Sequence, residues 1–449
     1  MDMEKETINQ GESNLDGSSG ADERQILRSN HRERIKYKRR LNSYRRTVVF
    51  SILGLLILLT INIIFPADHY YGPGGESSLS GADKNGISAS GNDGQSAEDA
   101  DLASAPAERK EVIANALYIT GSMAGSKTFI DNIVEKAGTT KLNAVVIDVK
   151  EDGIVNYESN VEEVVTHQNF KKVYDPEEVV GKLHDAGLYV IGRVVCFRDK
   201  NYAVQRTDLT VKKADGEPFK EGEHYWLNAY KEECQRYNLD IAKEAISHGF
   251  DEIQFDYVRF PATTKANYGN PEMSKCEAII SFLSKAHEEI SVGLNKPISA
   301  DLFGIAIESK LDGDAIGHDF VKIGEVVDYI CPMIYPSHWA NASPTGTMSN
   351  GTGQVIYDQK FTAPDLDPYG VTYKISLKAK EKMAENPNFK AKIRLYLQDF
   401  TASYLPRGYY KPYGANEVND QIRGLTDAGF EEWILWSGTN KYSYEVFNE

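Results

Sequence analysis

The feature that most constrains this chain is a joint that recurs three times after residue 111. At each joint an amphipathic helical run ends at a glycine, and an apolar or aromatic residue then opens a β-rich run, as in HDAGLYV, SHGFDEI and TDAGFEEWI. The glycines Gly187, Gly249 and Gly429 can adopt the left-handed conformation that closes a helix at low cost. This alternation of helix and strand is typical of a parallel sheet covered by helices.

Eight candidate strands follow one another in residues 111–449, separated by segments in which helical runs can be recognised. They read NALYIT (115–120), NAVVIDV (143–149), YVIGRVVCF (189–197), EIQFDYV (252–258), ISADLF (298–303), YICPMIY (329–335), IRLYLQDF (393–400) and EWILWS (432–437). Eight βα units in a segment of this length predict an α/β fold of the (β/α)8 TIM barrel type. An open doubly wound sheet is the alternative, although no GxGxxG or P-loop sequence marks a nucleotide site.

The N-terminal part has a different character. Residues 47–65 carry no charged side chain, and the preceding RSNHRERIKYKRRLNSYRR holds nine basic residues against one acidic residue. These features predict a basic cytoplasmic tail at 1–46, an uncleaved transmembrane helix at 47–66 and an extracytoplasmic barrel domain at 111–449. A cleaved signal peptide is the alternative, but its apolar core is usually only about 7–15 residues long. Residues 67–110, rich in small and polar residues, predict a flexible linker.

Charge and cysteine usage narrow the classes of partner. The formal net charge of −16 argues against nucleic acid and anionic lipid as partners. It also weighs against a strongly anionic polymer as substrate, although a local patch of positive charge can override a global balance. The four cysteines are not spaced as a CxxC motif, and no paired histidines accompany His338, so neither a metal site nor a cofactor is predicted.

Carboxylates stand at the ends of several predicted strands, where the active site of a barrel is built. In the fourth strand Ile253 and Phe255 share one face, so Gln254 and Asp256 should point into the barrel mouth. Asp301 lies at the equivalent depth of the fifth strand. Two carboxyl groups across one bond are what glycoside hydrolysis requires, and we therefore predict Asp256 and Asp301 as the catalytic residues. Alternative roles are loop fixation for Asp256 and helix capping for Asp301.

Other polar and aromatic residues at strand ends are predicted to contact the substrate. Arg193 lies in the middle of an apolar strand and should turn inward to pair with a carboxylate, which would keep that partner ionised. Sugars present C–H faces that pack on aromatic rings, so aromatic residues at strand ends fit a glycan cleft. The predicted substrate-binding residues are Asp148, Arg193, Gln254, Arg259, Tyr335, His338, Gln398, Asp399 and Trp436.

These motifs also carry a resemblance to a known family. GFDEIQFDYVRFP, with ALYITG, NAVVIDVKEDG, ISADLFG, CPMIYPSHW and LYLQDF, resembles a bacterial "putative glycosyl hydrolase domain", formerly a domain of unknown function, within the glycoside hydrolase TIM-barrel superfamily. The resemblance covers about residues 113–445. It implies an extracytoplasmic barrel of Gram-positive bacteria that acts on glycans.

A looser similarity links the chain to α-amylase-type barrels, which place a nucleophilic Asp after strand 4, an acid/base Glu after strand 5 and a stabilising Asp after strand 7. Asp256 matches the first position and Asp399 the third. Asp301 departs from the pattern because it is one methylene shorter than Glu, and Gln254 stands where that pattern usually has Arg. These departures leave the retaining or inverting outcome open.

The sequence thus predicts a glycoside hydrolase that acts on an extracellular or cell-surface polysaccharide by a two-carboxylate mechanism. The alternative is a barrel that binds cell-surface polysaccharide without cleaving it, because a fold does not prove an activity.

Overall fold

The computed structural model describes Arg109 and residues 112–269, 271–339 and 355–448. The predicted tail at 1–46, the predicted span at 47–66 and all of the predicted linker at 67–110 except Arg109 lie outside these residues. Where the chain is described, it holds no helix with the length and apolar character that crossing a bilayer requires.

The eight predicted strands are all present and form one closed barrel. Strand β1 pairs in parallel with both β2 and β8, and every other strand pairs in parallel with its neighbours in sequence. This closure excludes the open doubly wound sheet. The strands are β1 Asn115–Ile119, β2 Ala144–Glu151, β3 Tyr189–Val195, β4 Glu252–Asp256, β5 Ile298–Phe303, β6 Tyr329–Met333, β7 Lys392–Gln398 and β8 Glu432–Trp436.

Helices connect the barrel strands and cover the outside of the barrel. The longer ones are α1 Lys127–Thr139, α2 Pro176–Asp185, α3 Glu232–Ser247, α4 Lys275–Ala286, α5 Lys310–Ile316, α6 Pro368–Ala384 and α7 Ala415–Asp427. Side chains cap several of their N-termini: Ser274, for example, forms a reciprocal capping box with Glu277 at the start of α4. The predicted helix-ending glycines are confirmed, since Gly187, Gly249 and Gly429 all have positive φ angles.

The alternation of β4 separates the two faces of the barrel wall as predicted. Ile253 and Phe255 are fully buried in the large apolar cluster between strands and helices. The alternate residues of β4 face the barrel interior. At the bottom of the barrel Glu252 forms an ion pair with Arg394 (2.9 Å), and Arg394 also pairs with Glu432 (3.0 Å). Buried charges require such partners, so this cluster closes the lower end of the barrel and leaves the upper end for chemistry.

The long connection after β3 forms a small sheet of its own. The short strands Arg198–Asp199, Lys220–Glu221 and His224–Trp226 pair antiparallel, with Arg198 opposite Trp226. Because this connection leaves the carboxyl end of β3, it stands beside the barrel mouth, where long loops are usually functional.

Candidate active site

Asp256 is the last residue of β4, and its two carboxylate oxygens have different partners. Oδ2 accepts a hydrogen bond from Nε of Arg193 (3.1 Å) and a second one from Nη2 of the same guanidinium. Oδ1 accepts from the backbone N–H of Tyr257 (2.5 Å). Tyr257 adopts φ = 46°, an unusual conformation for a non-glycine residue that costs of order 1–3 kcal/mol. The strained residue therefore aims its N–H at the predicted catalytic carboxylate.

Arg193 sits at the centre of the site and confirms the prediction that it turns inward to a carboxylate. Besides Asp256, its Nη1 donates to Oδ1 of Asp148, and its Nε lies 4.0 Å from Oδ2 of Asp301. The other oxygen of Asp148 accepts from the hydroxyl of Tyr118. With both oxygens bonded and no exposed surface, Asp148 serves to hold Arg193 rather than to meet a substrate.

Asp301 has the environment of a carboxylic acid that keeps its proton. Only 2% of its surface is exposed, and Oδ1 has no hydrogen-bond partner in the described part of the chain. Burial, followed by the negative charge of Asp256, raises the pKa of Asp301 well above its ordinary range, whereas Arg193 lowers it. Desolvation and a like charge are the two effects that turn a carboxyl group into a general acid near neutral pH.

The two predicted catalytic carboxylates are close enough to act on one bond. Oδ2 of Asp256 lies 3.1 Å and Oδ2 of Asp301 lies 4.0 Å from the same nitrogen, Nε of Arg193. The two oxygens therefore cannot be more than about 7 Å apart, within the limit of roughly 9.5 Å for a two-carboxylate mechanism. This upper bound admits both the shorter separation typical of retaining enzymes and the longer one typical of inverting enzymes.

Aromatic rings stand next to this carboxylate cluster. The half-buried Trp436 packs against Tyr335 (5.7 Å between ring centroids), Phe400 (5.3 Å) and Tyr118 (6.3 Å). Burial is the largest cause that raises the pKa of Tyr335, and the neighbouring charges of Asp301 and Asp256 raise it further. The combination of apolar rings and a few polar groups suits a sugar ring. Trp436 and Tyr335 thus lie where the sequence predicted them.

Three of the predicted substrate-binding residues lie away from the carboxylate cluster. Gln254 is fully buried one layer below Asp256, where it accepts from the hydroxyl of Tyr396 (2.6 Å) and donates to Cys331. Gln398 is also fully buried and accepts from the backbone of Ser337. Asp399 accepts two hydrogen bonds from Ser443, at 2.7 and 2.9 Å.

These bonds show that Gln398 and Asp399 organise the loops around the barrel mouth. They also separate the chain from the α-amylase-type pattern, because Asp399 does not join the other two carboxylates. The cation that pairs with Asp256 likewise comes from β3, as Arg193, and not from β4.

Two further predicted residues occupy positions beside the cluster. His338 is exposed and packs edge-on against Tyr335, with 5.0 Å between ring centroids. Among the residues that the structure describes, no carboxylate oxygen contacts Arg259. Its Nη1 donates to the carbonyl oxygen of Phe260 (3.0 Å), and aromatic rings surround its guanidinium.

Sequence reasoning missed two residues of the site. Tyr118, which bonds Asp148, lies on the inward face of β1, and strand alternation in NALYIT was the signal that could have found it. Tyr257 had no such signal, because its positive φ angle is imposed by the surrounding structure. Within the described residues, no group of three or more His, Cys, Asp or Glu side chains is arranged to hold a metal ion.

Residues 116–442 match a family model described as "putative glycosyl hydrolase domain". The chain belongs to this family. The match spans the barrel from β1 to β8 and includes every residue of the carboxylate cluster. It confirms the resemblance found in the sequence and identifies the barrel as a glycoside hydrolase domain.

One solved structure supports this fold, and a second is similar in sequence over part of the chain. The glycoside hydrolase domain of PgaB (BpsB) from Bordetella bronchiseptica is 11% identical with a TM-score of 0.54, and the match covers 75% of this chain and 99% of that one. A hypothetical protein from Ruminiclostridium thermocellum ATCC 27405 is 37% identical over 41% of this chain and 96% of its own, with a TM-score of 0.40. None of the curated proteins compared matches the chain.

Proposed function

We propose that the protein hydrolyses a glycosidic bond in an extracellular or cell-surface polysaccharide by a two-carboxylate mechanism. Asp301 is the general acid, and Asp256 is the nucleophile or the base that activates water. The observation that carries the proposal is the pair itself: an arginine-bound carboxylate and a buried, raised-pKa carboxyl group converge on one guanidinium at the barrel mouth.

The two carboxyl groups differ in the way that the reaction requires. Asp301 delivers its proton to the departing glycosidic oxygen, so the leaving group departs as a neutral alcohol. Asp256, held by Arg193 and by the N–H of Tyr257, keeps a lone pair free on Oδ1 to attack the anomeric carbon or to take a proton from water. Arg193 stabilises the negative charge of Asp256 before the attack and the charge left on Asp301 afterwards.

The cellular location is part of the same proposal. The uncharged run at 47–65 and its basic N-terminal flank support a single membrane anchor with the barrel on the outer side. A barrel tethered there would meet polysaccharides of the cell surface.

The test is product formation by the purified full-length chain on a panel of cell-wall and exopolysaccharide fractions, measured as new reducing ends. Asp256→Asn should lower the rate at least about 100-fold, because it removes the reacting oxygen's charge while keeping its shape. The matched control is Asp185→Asn, since Asp185 is exposed at the end of α2, which leads to the opposite end of the barrel.

The control should keep the wild-type rate, and both variants should keep the wild-type urea midpoint. Binding to a fraction without any new reducing ends, at high protein concentration, would instead identify a non-catalytic polysaccharide-binding barrel. An Asp256→Asn variant that fails to fold would assign the residue a structural role.

A further inference from the structure

Two arginines beside the catalytic carboxylates form no ion pair with any residue that the structure describes. The guanidinium carbons of Arg198 and Arg259 lie 4.8 and 5.1 Å from the ring centroid of Tyr257, the residue that follows Asp256. Throughout the part of the chain that the structure describes, neither arginine has a carboxylate oxygen within 4.0 Å. Most other arginines here do have one: Arg193, Arg206, Arg236, Arg394 and Arg423 all form ion pairs.

Arg259 is held in an aromatic enclosure. Besides Tyr257, its guanidinium lies 4.7 Å from the ring of Trp226 and 4.4 Å from that of Phe303. Only 7% of its surface is exposed, its Nε has no hydrogen-bond partner, and burial lowers its pKa. The rings offset part of the cost of removing the cation from water, but an unpaired buried N–H of a charged group remains costly.

Arg198 is the more accessible of the two. It is half-buried in a short strand opposite Trp226. This strand belongs to the small antiparallel sheet that follows β3 beside the barrel mouth. Glu221 and Asp256 act on Arg259 as neighbouring negative charges, which places Arg259 near the catalytic centre. A protein with net charge −16 therefore holds two arginines without an ion pair around Tyr257, the residue that follows Asp256.

We propose that Arg198 and Arg259 form a subsite for a carboxylate group on the glycan, so that the substrate is an acidic polysaccharide. This inference rests on the proposed function. Arg198 presents a planar fork of donors that matches a carboxylate in a bidentate manner, while Arg259 supplies a second, weakly hydrated charge behind Tyr257. The global negative charge weighs against an anionic polymer, and this pair is the local patch that overrides it.

The first test is binding, which does not depend on turnover. The full-length chain is titrated with glucuronate and with glucose, and with a uronic-acid polysaccharide before and after carbodiimide–borohydride reduction of its carboxyl groups. We expect the acidic form of each pair to bind at least about tenfold more tightly, as charged hydrogen bonds predict. Arg198→Gln should reduce that preference toward unity, and Arg259→Lys should reduce it in part because the planar fork is lost.

The matched control is Arg423→Gln, because Arg423 also stacks on a tyrosine (4.7 Å from the ring of Tyr369) but lies on the outer helix α7. The control should keep the full preference for the acidic form. Equal binding of the acidic and reduced forms by the wild-type chain would overturn the subsite. So would a preference that survives in Arg198→Gln, or variants that change only the urea midpoint, since these results assign the arginines a packing role.

Activity on the same polysaccharides separates this inference from the proposed function. Cleavage of the acidic and reduced forms at equal rates would leave the hydrolase proposal standing and remove the subsite. A preference for a sulfated or phosphorylated fraction, unaffected by carboxyl reduction, would assign the arginines to another anion and contradict the carboxylate. Preferential binding of the acidic form with no cleavage of any fraction would support the subsite and contradict the hydrolase proposal.

Discussion

At the residue scale, the site depends on one arginine that serves three carboxyl groups. Asp148, Asp256 and Asp301 all lie within 4.0 Å of the guanidinium of Arg193. One positive charge cannot compensate three negative charges in a buried site, so at least one proton must stay in the cluster. Asp301 is suited to keep it, because one of its oxygens has no partner and its pKa is raised well above the ordinary range.

The raised pKa of Asp301 predicts a specific pH dependence of stability. Above about pH 4 the unfolded chain releases this proton while the folded chain retains it, so the free energy of unfolding falls as pH rises toward the folded-state pKa. Asp301→Asn cannot ionise and should lack this contribution. In urea titrations from pH 4 to pH 8, the variant should gain stability relative to wild type as pH increases, and a constant difference would contradict the assignment.

Removal of the shared cation should be strongly destabilising. Arg193→Gln leaves Asp148 and Asp256 buried without their ionic partner, and we expect the free energy of unfolding to fall by about 3–5 kcal/mol. Arg423→Gln removes an exposed pair with Asp420 and should change stability by no more than about 0.5 kcal/mol. Equal urea midpoints for the two variants would show that Arg193 does not hold the cluster together.

At the scale of the elements, the sequence predicted the barrel well because two local signals coincide. Strand alternation such as that of Ile253 and Phe255 identifies the buried face, and at three joints a glycine after the helix marks where the next strand begins. All eight strands were found for this reason. The same parity put Asp256 and Asp301 at the mouth, since a strand with one face buried has only one possible register.

Features that break the alternation could not be predicted. The register of β2 against β3 shifts between Asp148 and Lys150. This bulge turns Lys150 away from the barrel mouth and toward helix α3. There its amine donates a hydrogen bond to Asn238 (2.8 Å). The loop partners of Gln398 and Asp399 and the positive φ of Tyr257 depend equally on contacts between distant segments. Such contacts cannot be predicted from the local sequence of either segment.

Helix α2 and its end offer a matched pair of glycine substitutions. Gly187 follows the helix with φ = 79°, a conformation that strains any side chain, so Gly187→Ala should lower the free energy of unfolding by about 1 kcal/mol. Gly181 lies within the helix with nothing near its added Cβ, so Gly181→Ala should raise stability by about 0.5–1 kcal/mol. Urea denaturation measures both, and shifts of the same sign would contradict this account.

At the scale of the whole molecule, the proposed membrane anchor at 47–66 predicts how the protein fractionates. Deletion of 47–66 should move the protein from the membrane pellet to the soluble fraction after cell lysis. The full-length chain should stay in the pellet at high salt and leave it only with detergent, because apolar insertion is not screened by ions. Recovery of the full-length chain in the soluble fraction would contradict the predicted anchor.

The central claim is that Asp301 donates the proton to the glycosidic oxygen. The most direct measurement is the pH profile of kcat/KM for wild type and Asp301→Asn on the polysaccharide that the panel identifies. We predict that the wild-type profile falls on its alkaline side as Asp301 loses its proton, and that the variant is slower by about 10²–10⁴-fold and lacks this alkaline fall. A variant with the wild-type rate, or with the same alkaline fall, would contradict the account.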